Sequence, residues 1–506
     1  MSEPRKHSYG QILKSSAFIG GSSVLNVGFG IVRNKALALI LGPTGVGLLG
    51  LYVSIYDLTR SFSGLGIANS GVRQIAEAVA TGDGRRIART VITLRRVALL
   101  SGAIGALLLV AVSFPISWFT FGDYRHAGWV ALLALAVWFN TISTGQGALV
   151  QGVRRISDLA RMSVLGGFYG TIFSIPIIYF YGENGIVPFL LCGTAMSILT
   201  SWWYARKVAI EKVPMSFRDI LAEASSLLRL GLVFMASGLM TMGVAYLVRV
   251  MVLRWLSLEA AGCFQAAWTL SYLYVNFIMQ AMGADFFPRL TAVANDNSEC
   301  NRLVNEQAEV GLLLAAPGLL GTLTFAPLVL QVFYSAKFWP AADVLCWICL
   351  GMALRVACWP MGFILVARGE RKLFFWMEFL SSALQLGLVW CGLALFGLNG
   401  TGIAVFALNV CNLVCVYWLV RHLTGYRWSP ANGRLALVFV PLVALVFAGR
   451  FWLPHPAAIA LGTLLTVAAG LYSVKTVCTL VPMERFPGFA RKTLWFFRLA
   501  PRPSAD

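Results

Sequence analysis

The sequence predicts an all-α polytopic membrane protein with about 14 transmembrane helices, and three observations carry that prediction. Of the 506 residues, 58% are hydrophobic and only 12% charged, with a mean hydropathy of +0.76; a soluble chain needs far more charge to cover its surface. Apolar runs near the ~20 residues that cross a hydrocarbon core recur along the whole chain. Basic residues gather in alternate connections, as the positive-inside rule requires.

Six spans are expected at about 12–41, 45–66, 97–120, 127–152, 162–181 and 185–205, and six more at about 226–254, 260–287, 310–334, 341–367, 373–396 and 400–421. A last pair is expected near 435–452 and 457–480, and spans two and eight are expected to continue as helix to about 80 and 294. One set of connections carries Arg85, Arg86, Arg89, Arg95 and Arg96, then Arg154, Arg155 and Arg161, then Arg206, Lys207, Lys212, Arg218 and Arg229. The same set ends with Arg368, Arg371, Lys372, Arg421, Arg427 and Arg434, whereas the opposite set offers only Arg125, Arg254, Lys337 and Arg450. The first set and both termini are therefore expected to be cytoplasmic. The net charge of +19 is topological, and nucleic acid is not implied.

The outer connections are short, among them Gly42-Pro43-Thr44, Tyr181 to Gly185, and Gly397 to Gly400. They leave no room for an outer catalytic domain, which weighs against a polymerase or ligase. His126 and His455 stand on that side without catalytic partners in the sequence. Of ten cysteines, Cys192, Cys346, Cys349, Cys391, Cys411 and Cys415 lie in apolar runs, where thiols pack as small hydrophobes. Arg5 and Lys6 precede an apolar stretch without a small-residue cleavage pattern, so no cleavable signal is read there.

A weak internal repeat relates the two halves. Gly30-Ile31-Val32-Arg33 resembles Tyr246-Leu247-Val248-Arg249, and Arg73 and Arg289 each follow 40 residues later, beyond Gly66 and Gly283. Six spans separate the copies, so both share one orientation. This predicts lobes at 1–213 and 214–424, with 425–506 holding two further helices and a basic cytoplasmic tail.

An ionisable residue near a span centre costs roughly 2.5–3.5 kcal/mol on insertion scales, so it is read as facing a wet cavity or a partner. Arg33, Lys35, Asp57, Arg60, Arg249, Asp285 and Arg355 are in this class, and cations dominate. Guanidinium forks match phosphate oxygens bidentately, so such a lining suits an anionic solute. Asn26, Gly30 and Arg33 share a helix face, as do Asp57, Arg60, Ser61 and Gly64. Gln265, Trp268, Tyr272, Asn276, Gln280 and Gly283 form an aromatic and amide stripe suited to a sugar wall, although such stripes also serve packing. Asp57 and Arg60 could pair on their own helix, Lys14, Arg73 and Arg289 could reach the headgroups, and Asp57 and Asp285 either take a coupling proton or cation or balance the arginines.

The stretch from Leu13-Lys14-Ser15-Ser16 through Val32-Arg33-Asn34-Lys35, then Leu41-Gly42-Pro43-Thr44-Gly45, resembles bacterial O-antigen translocases. So does Gly64-Leu65-Gly66-Ile67 followed by Ser70-Gly71-Val72-Arg73-Gln74. These are lipid-linked oligosaccharide flippases of the multidrug/oligosaccharidyl-lipid/polysaccharide (MOP) exporter superfamily. The resemblance implies a V of two six-helix lobes around a central cationic cavity, with Arg33 lining it. It also implies alternating access for an undecaprenyl-pyrophosphate-linked glycan across the inner membrane, with no cofactor, an open question of proton or sodium coupling, and a polymerase and chain-length regulator as partners. The extra pair of helices resembles fourteen-span lipid II flippases, in which the last two border a groove for the lipid tail; a multidrug exporter of the same superfamily is the other alternative.

Overall fold

The computed structural model describes residues 3–208, 210–211 and 213–480. Side chains at 3–20, 68–69, 217–218, 221–222, 225–234, 236–237, 277, 281 and 283–285 lie outside the described set, which removes Lys14, Arg218, Arg229, Gly283 and Asp285 from consideration, as it does Lys212 and the tail after 480.

The described chain is helical throughout: α1 (Glu3–Ser63), α2 (Ile67–Ala80), α3 (Gly84–Ala111), α4 (Ser113–Phe121), α5 (Ala127–Gly152), α6 (Ile156–Tyr181), α7 (Ile186–Ala205) and α8 (Phe217–Trp255) come first. There follow α9 (Leu258–Ala292), α10 (Asn297–Thr324), α11 (Ala326–Phe333), α12 (Ala342–Ala367), α13 (Arg371–Thr424), α14 (Pro430–Trp452) and α15 (His455–Leu480). Among the described residues, nine helical stretches are long and apolar enough to cross a membrane, and ten if the bent α10–α11 pair is one span. Three of these stretches are double: α1 breaks at Gly42, α13 breaks at Gly397, and Ile156–Ala205 is α6 and α7 with a turn between. With α9 the passes number about fourteen, as expected. The two breaks need φ values of 67° and 57°, which glycine adopts without a Cβ penalty. At the second, Gly392 and Gly400 meet backbone to backbone.

Some boundaries differ from expectation for local reasons. Span three is α3, which begins at Gly84 because Asp83 caps it by accepting from the Arg85 N–H at 2.9 Å. Span nine bends by 89° between α10 and α11. Span two does extend to Ala80, but through a left-handed break at Leu65 and Gly66 that separates α2 from α1.

The outward-facing surface is apolar: Leu107 is 69% exposed, Phe180 77% and Leu437 76%. In a soluble protein such residues would be buried; here they suit hydrocarbon. The chain divides into two compact units, the first Met1–Cys263 with Phe333–Ser335, the second Phe264–Val332 with Ala336–Asp506. The core of the first is built on Leu51, Tyr52, Ile55, Leu133 and Val137, with a second cluster of Ile67, Ile75, Val91 and Leu94 joining α2 to α3. The core of the second is built on Phe286, Leu290, Val304, Met361 and Tyr426.

The last two helices are tied into the second unit. Asn305 of α10 accepts from the Tyr426 hydroxyl (3.1 Å), the Ser429 N–H (2.9 Å) and the Asn432 amide (2.9 Å), and donates to the Arg427 carbonyl (3.1 Å). Arg450 of α14 pairs with Asp343 of α12 at 2.9 Å.

Candidate functional site

In the first unit, Asp57 and Arg60 sit one turn apart beyond the Gly42 break, and they do pair, with Nε of Arg60 3.4 Å from the carboxylate. Asp57 also lies within electrostatic reach of Arg249 on α8, whose Nη1 donates to the Ala245 carbonyl at 2.8 Å. One carboxylate thus stands against two guanidinium groups contributed by different helices. Arg33 is half-buried on α1, 5.7 Å from the Phe189 ring of α7, and no carboxylate pairs with it among the described residues.

Three cavities are found in this unit among the described residues; one of about 540 Å³ is lined by Arg95, Gln146, Trp202 and Arg206, and two others adjoin one another. The smaller, about 230 Å³, is lined by Arg60, Ser61, Gly64, Asn140, Thr144 and neighbours including Gly238 of α8. A Cβ on Gly238 would lie 2.7 Å from the Ser61 hydroxyl, so α8 passes close to α1 here. The larger, about 520 Å³, is lined by residues of α1, α5, α6 and α7 and shares Asn140 and Thr144 with the smaller. Asn26 donates to the Ser163 hydroxyl (2.8 Å) beside it. Arg33 and Arg249 line none of the three.

The end of this unit away from the arginine-rich connections is closed. The carbonyl of Pro43 and the backbone of Gly47 press on Gly262, with no space for a Cβ on either glycine. Arg254 donates to the carbonyls of Trp118 and Phe119, and the hydroxyls of Thr120 and Tyr246 bond at 2.6 Å. His126, solitary in the sequence, is seated here: its Nδ1 bonds the Tyr52 hydroxyl at 2.8 Å and its ring stacks on Phe121 at 4.0 Å. Burial holds its imidazole below the ordinary range, against Asp123 and Glu183, which raise it, and Arg125, which lowers it further.

In the second unit, Trp268 and Tyr272 of α9 stack at 4.4 Å, and Arg355 of α12 lies 5.6 Å from the Tyr272 ring. The Nε of Arg355 is buried without an acceptor among the described residues. Glu378 of α13 is within its electrostatic reach. Sequence reasoning missed Glu378, though a carboxylate inside the apolar run 373–396 is the same signal that singled out Asp57. Asn276 and Gln280 extend the stripe as exposed side chains, and Gln265 bonds Thr269 at 3.1 Å. Toward the arginine-rich connections, Arg73 pairs with Glu77 on its own helix at 2.8 Å, and Arg289 is exposed. Arg206 stacks on Trp203 at 3.6 Å, an arrangement typical of a membrane interface. All ten cysteines are free, and Cys346 and Cys349 are buried as packing groups. No cluster of potential metal ligands occurs among the described residues.

Apolar helices crossing in about fourteen passes, with guanidinium groups and polar-lined cavities among them, define a multi-pass membrane transporter. The chain belongs to the polysaccharide biosynthesis protein family, whose profile matches residues 36–343. It is similar to the lipid III flippase of Escherichia coli (strain K12), at 22% identity over 375 residues, covering 72% of this chain and 88% of that protein. The lipid III flippase of Shigella flexneri matches equally. The fold is that of MOP-superfamily transporters. The lipid II flippase MurJ in an inward closed conformation aligns with a TM-score of 0.67 at 13% identity, over 92% of this chain and 99% of that one. An inward-facing multidrug resistance MATE transporter aligns with a TM-score of 0.66 at 15% identity, over 78% and 94%.

Proposed function

We propose that this protein is a flippase carrying an undecaprenyl-pyrophosphate-linked oligosaccharide, an O-antigen or exopolysaccharide repeat unit, from the cytoplasmic to the periplasmic leaflet of the bacterial inner membrane. The observation that carries the reading is the asymmetry of the first unit: a cavity bearing Arg60, continuous through Asn140 and Thr144 with a hydroxyl-lined one, on the arginine-rich side, and a tightly packed opposite end. By the positive-inside rule the open side is cytoplasmic, where such a lipid is made, and both termini lie there. The names of the relatives support the substrate class.

The physical task is to move a diphosphate and a wet glycan past hydrocarbon while the polyprenyl tail stays in lipid. Arg60, with Arg33, Arg249 and Arg355, supplies positive charge for the diphosphate, and Asp57 and Asp285 balance that charge. Asn26, Asn276 and Gln280 with Trp268 and Tyr272 contact sugar, and Arg73 and Arg289 meet headgroups. The lobes 1–213 and 214–424 rock against one another, and 425–506 borders the lipid tail. A polymerase and a chain-length regulator take the product.

The test is export of surface polysaccharide in a strain lacking this gene. Wild-type protein restores it, Arg60→Ala cuts it at least tenfold, and Arg60→Lys recovers part. Full export with Arg33, Arg60, Arg249 and Arg355 each replaced by alanine at normal expression overturns the reading. Unchanged drug susceptibility in the deletion strain separates it from a multidrug exporter.

A further inference from the structure

The 520 Å³ cavity has a chemistry that the arginine-centred account does not use. Nine of its fifteen lining residues end in a hydroxyl or a carboxamide, and none is charged. Most of the hydroxyl protons are already committed. Ser143 donates to the Ser197 carbonyl (3.2 Å), Ser197 to the Gly193 carbonyl (3.0 Å), and Thr200 to the Met196 carbonyl (2.9 Å). Their oxygens keep lone pairs that accept. Ser163, which accepts from Asn26, keeps its proton to give. The wall therefore offers several acceptors and a few donors over a volume inside the range of about 300–1,000 Å³ common to small-molecule sites.

Such a wall discriminates by charge. A polyol entering it exchanges water for hydroxyls of the same hydrogen-bonding kind. A carboxylate entering it gives up hydration and meets no cation among the described lining residues, which is costly. Position adds the second argument: Asn140 and Thr144 line both this cavity and the one containing Arg60. A diphosphate held at Arg60 directs whatever is attached to it across those two residues and into the hydroxyl-lined space.

We propose that this cavity seats the outer sugars of the glycan, beyond the one bonded to pyrophosphate, and that those sugars are uncharged and rich in hydroxyl groups. The inference rests on the flippase reading and adds a subsite and a charge preference to it.

The experiment uses full-length protein reconstituted in vesicles with two probes: undecaprenyl pyrophosphate bearing one neutral sugar, and the same lipid bearing a neutral trisaccharide. Thr200→Leu and Ser163→Leu fill the cavity. They are expected to slow trisaccharide translocation at least tenfold and single-sugar translocation less than threefold. Thr200→Val, which removes the hydroxyl at constant size, is expected to give a smaller trisaccharide defect and an unchanged melting temperature, so that misfolding is recognised. A trisaccharide carrying a uronic acid at its end is expected to move at least fivefold more slowly than the neutral one in the wild type. Equal effects on both probes, or no effect of any variant, overturn the subsite, and equal movement of acidic and neutral glycans overturns the charge preference. Wild-type protein that moves neither lipid sinks the flippase reading instead, which is a separate result.

Discussion

Gly262→Ala strikes at the closed end of the first unit. A Cβ at this position would overlap the Pro43 carbonyl oxygen, lie 2.7 Å from its carbon and come within 3.0 Å of the Gly47 nitrogen. Ordinary carbon contacts sit near 3.5–4.0 Å, so the α1 turn and the start of α9 must separate by roughly 1.5 Å at the Pro43 carbonyl. Every atom struck belongs to backbone, which cannot turn aside as a side chain does. Overpacking of this kind costs typically 1–3 kcal/mol. If the cost falls on the closed arrangement alone, about 2 kcal/mol shifts its population roughly 30-fold, at about 1.4 kcal/mol per factor of ten. Cys263 is a built-in reporter, since it is 2% exposed beside the contact. Labelling of intact cells or oriented vesicles with a membrane-impermeant maleimide should rise at least tenfold in Gly262→Ala, and the rise should vanish in Gly262→Ala/Cys263→Ser. A folded, inserted variant whose Cys263 labels no faster than wild type refutes the reasoning.

Three other outcomes are expected. The lowered His126 pKa means that the folded state disfavours the charged ring, so stability is complete above the ordinary imidazole value near 6.5 and falls as pH drops from there toward the depressed folded value. Melting temperature against pH should show this acid-side loss, and His126→Gln should flatten it; an equal loss in both proteins assigns it elsewhere. Asp57→Asn and Arg60→Gln should destabilise singly and show a coupling energy of about 0.5–1 kcal/mol in a double-mutant cycle, whereas a coupling near zero removes Asp57 as the counter-charge. Asn305→Ala deletes five side-chain hydrogen bonds, four of them to residues 426–432, each worth about 0.5–1.5 kcal/mol net, so a loss of at least roughly 2 kcal/mol is expected, with faster hydrogen exchange at residues 425–432; unchanged exchange there disproves the role of Asn305 as the anchor.

Much of the site was legible in the residues. Arg33, Asp57, Arg60, Arg249 and Arg355 stood out because ionisable groups are expensive at membrane depth, and the i,i+3 spacing of Asp57 and Arg60 permitted the pair that forms. Their neighbours were not legible. That Arg249 comes within electrostatic reach of Asp57 depends on α8 packing against α1. The Tyr52–His126 bond joins residues 74 apart. The hydroxyl-lined cavity left no sequence signal, because serine and threonine in a membrane helix read as ordinary packing residues that bond back to their own helix carbonyls.

The sequence by itself determined the solvent this chain lives in, the number of its passes, the positions of its glycine breaks and the side on which its arginines gather. Each of those follows from local quantities, such as the length of an apolar run, the freedom of one φ angle or the charge of one connection. Only the tertiary structure decided which end of the first unit is closed and which hydroxyls face a common space. It also decided which carboxylate answers which arginine. These depend on contacts between helices far apart in the chain, and helix packing in lipid turns on the shape of small residues rather than on any periodic pattern.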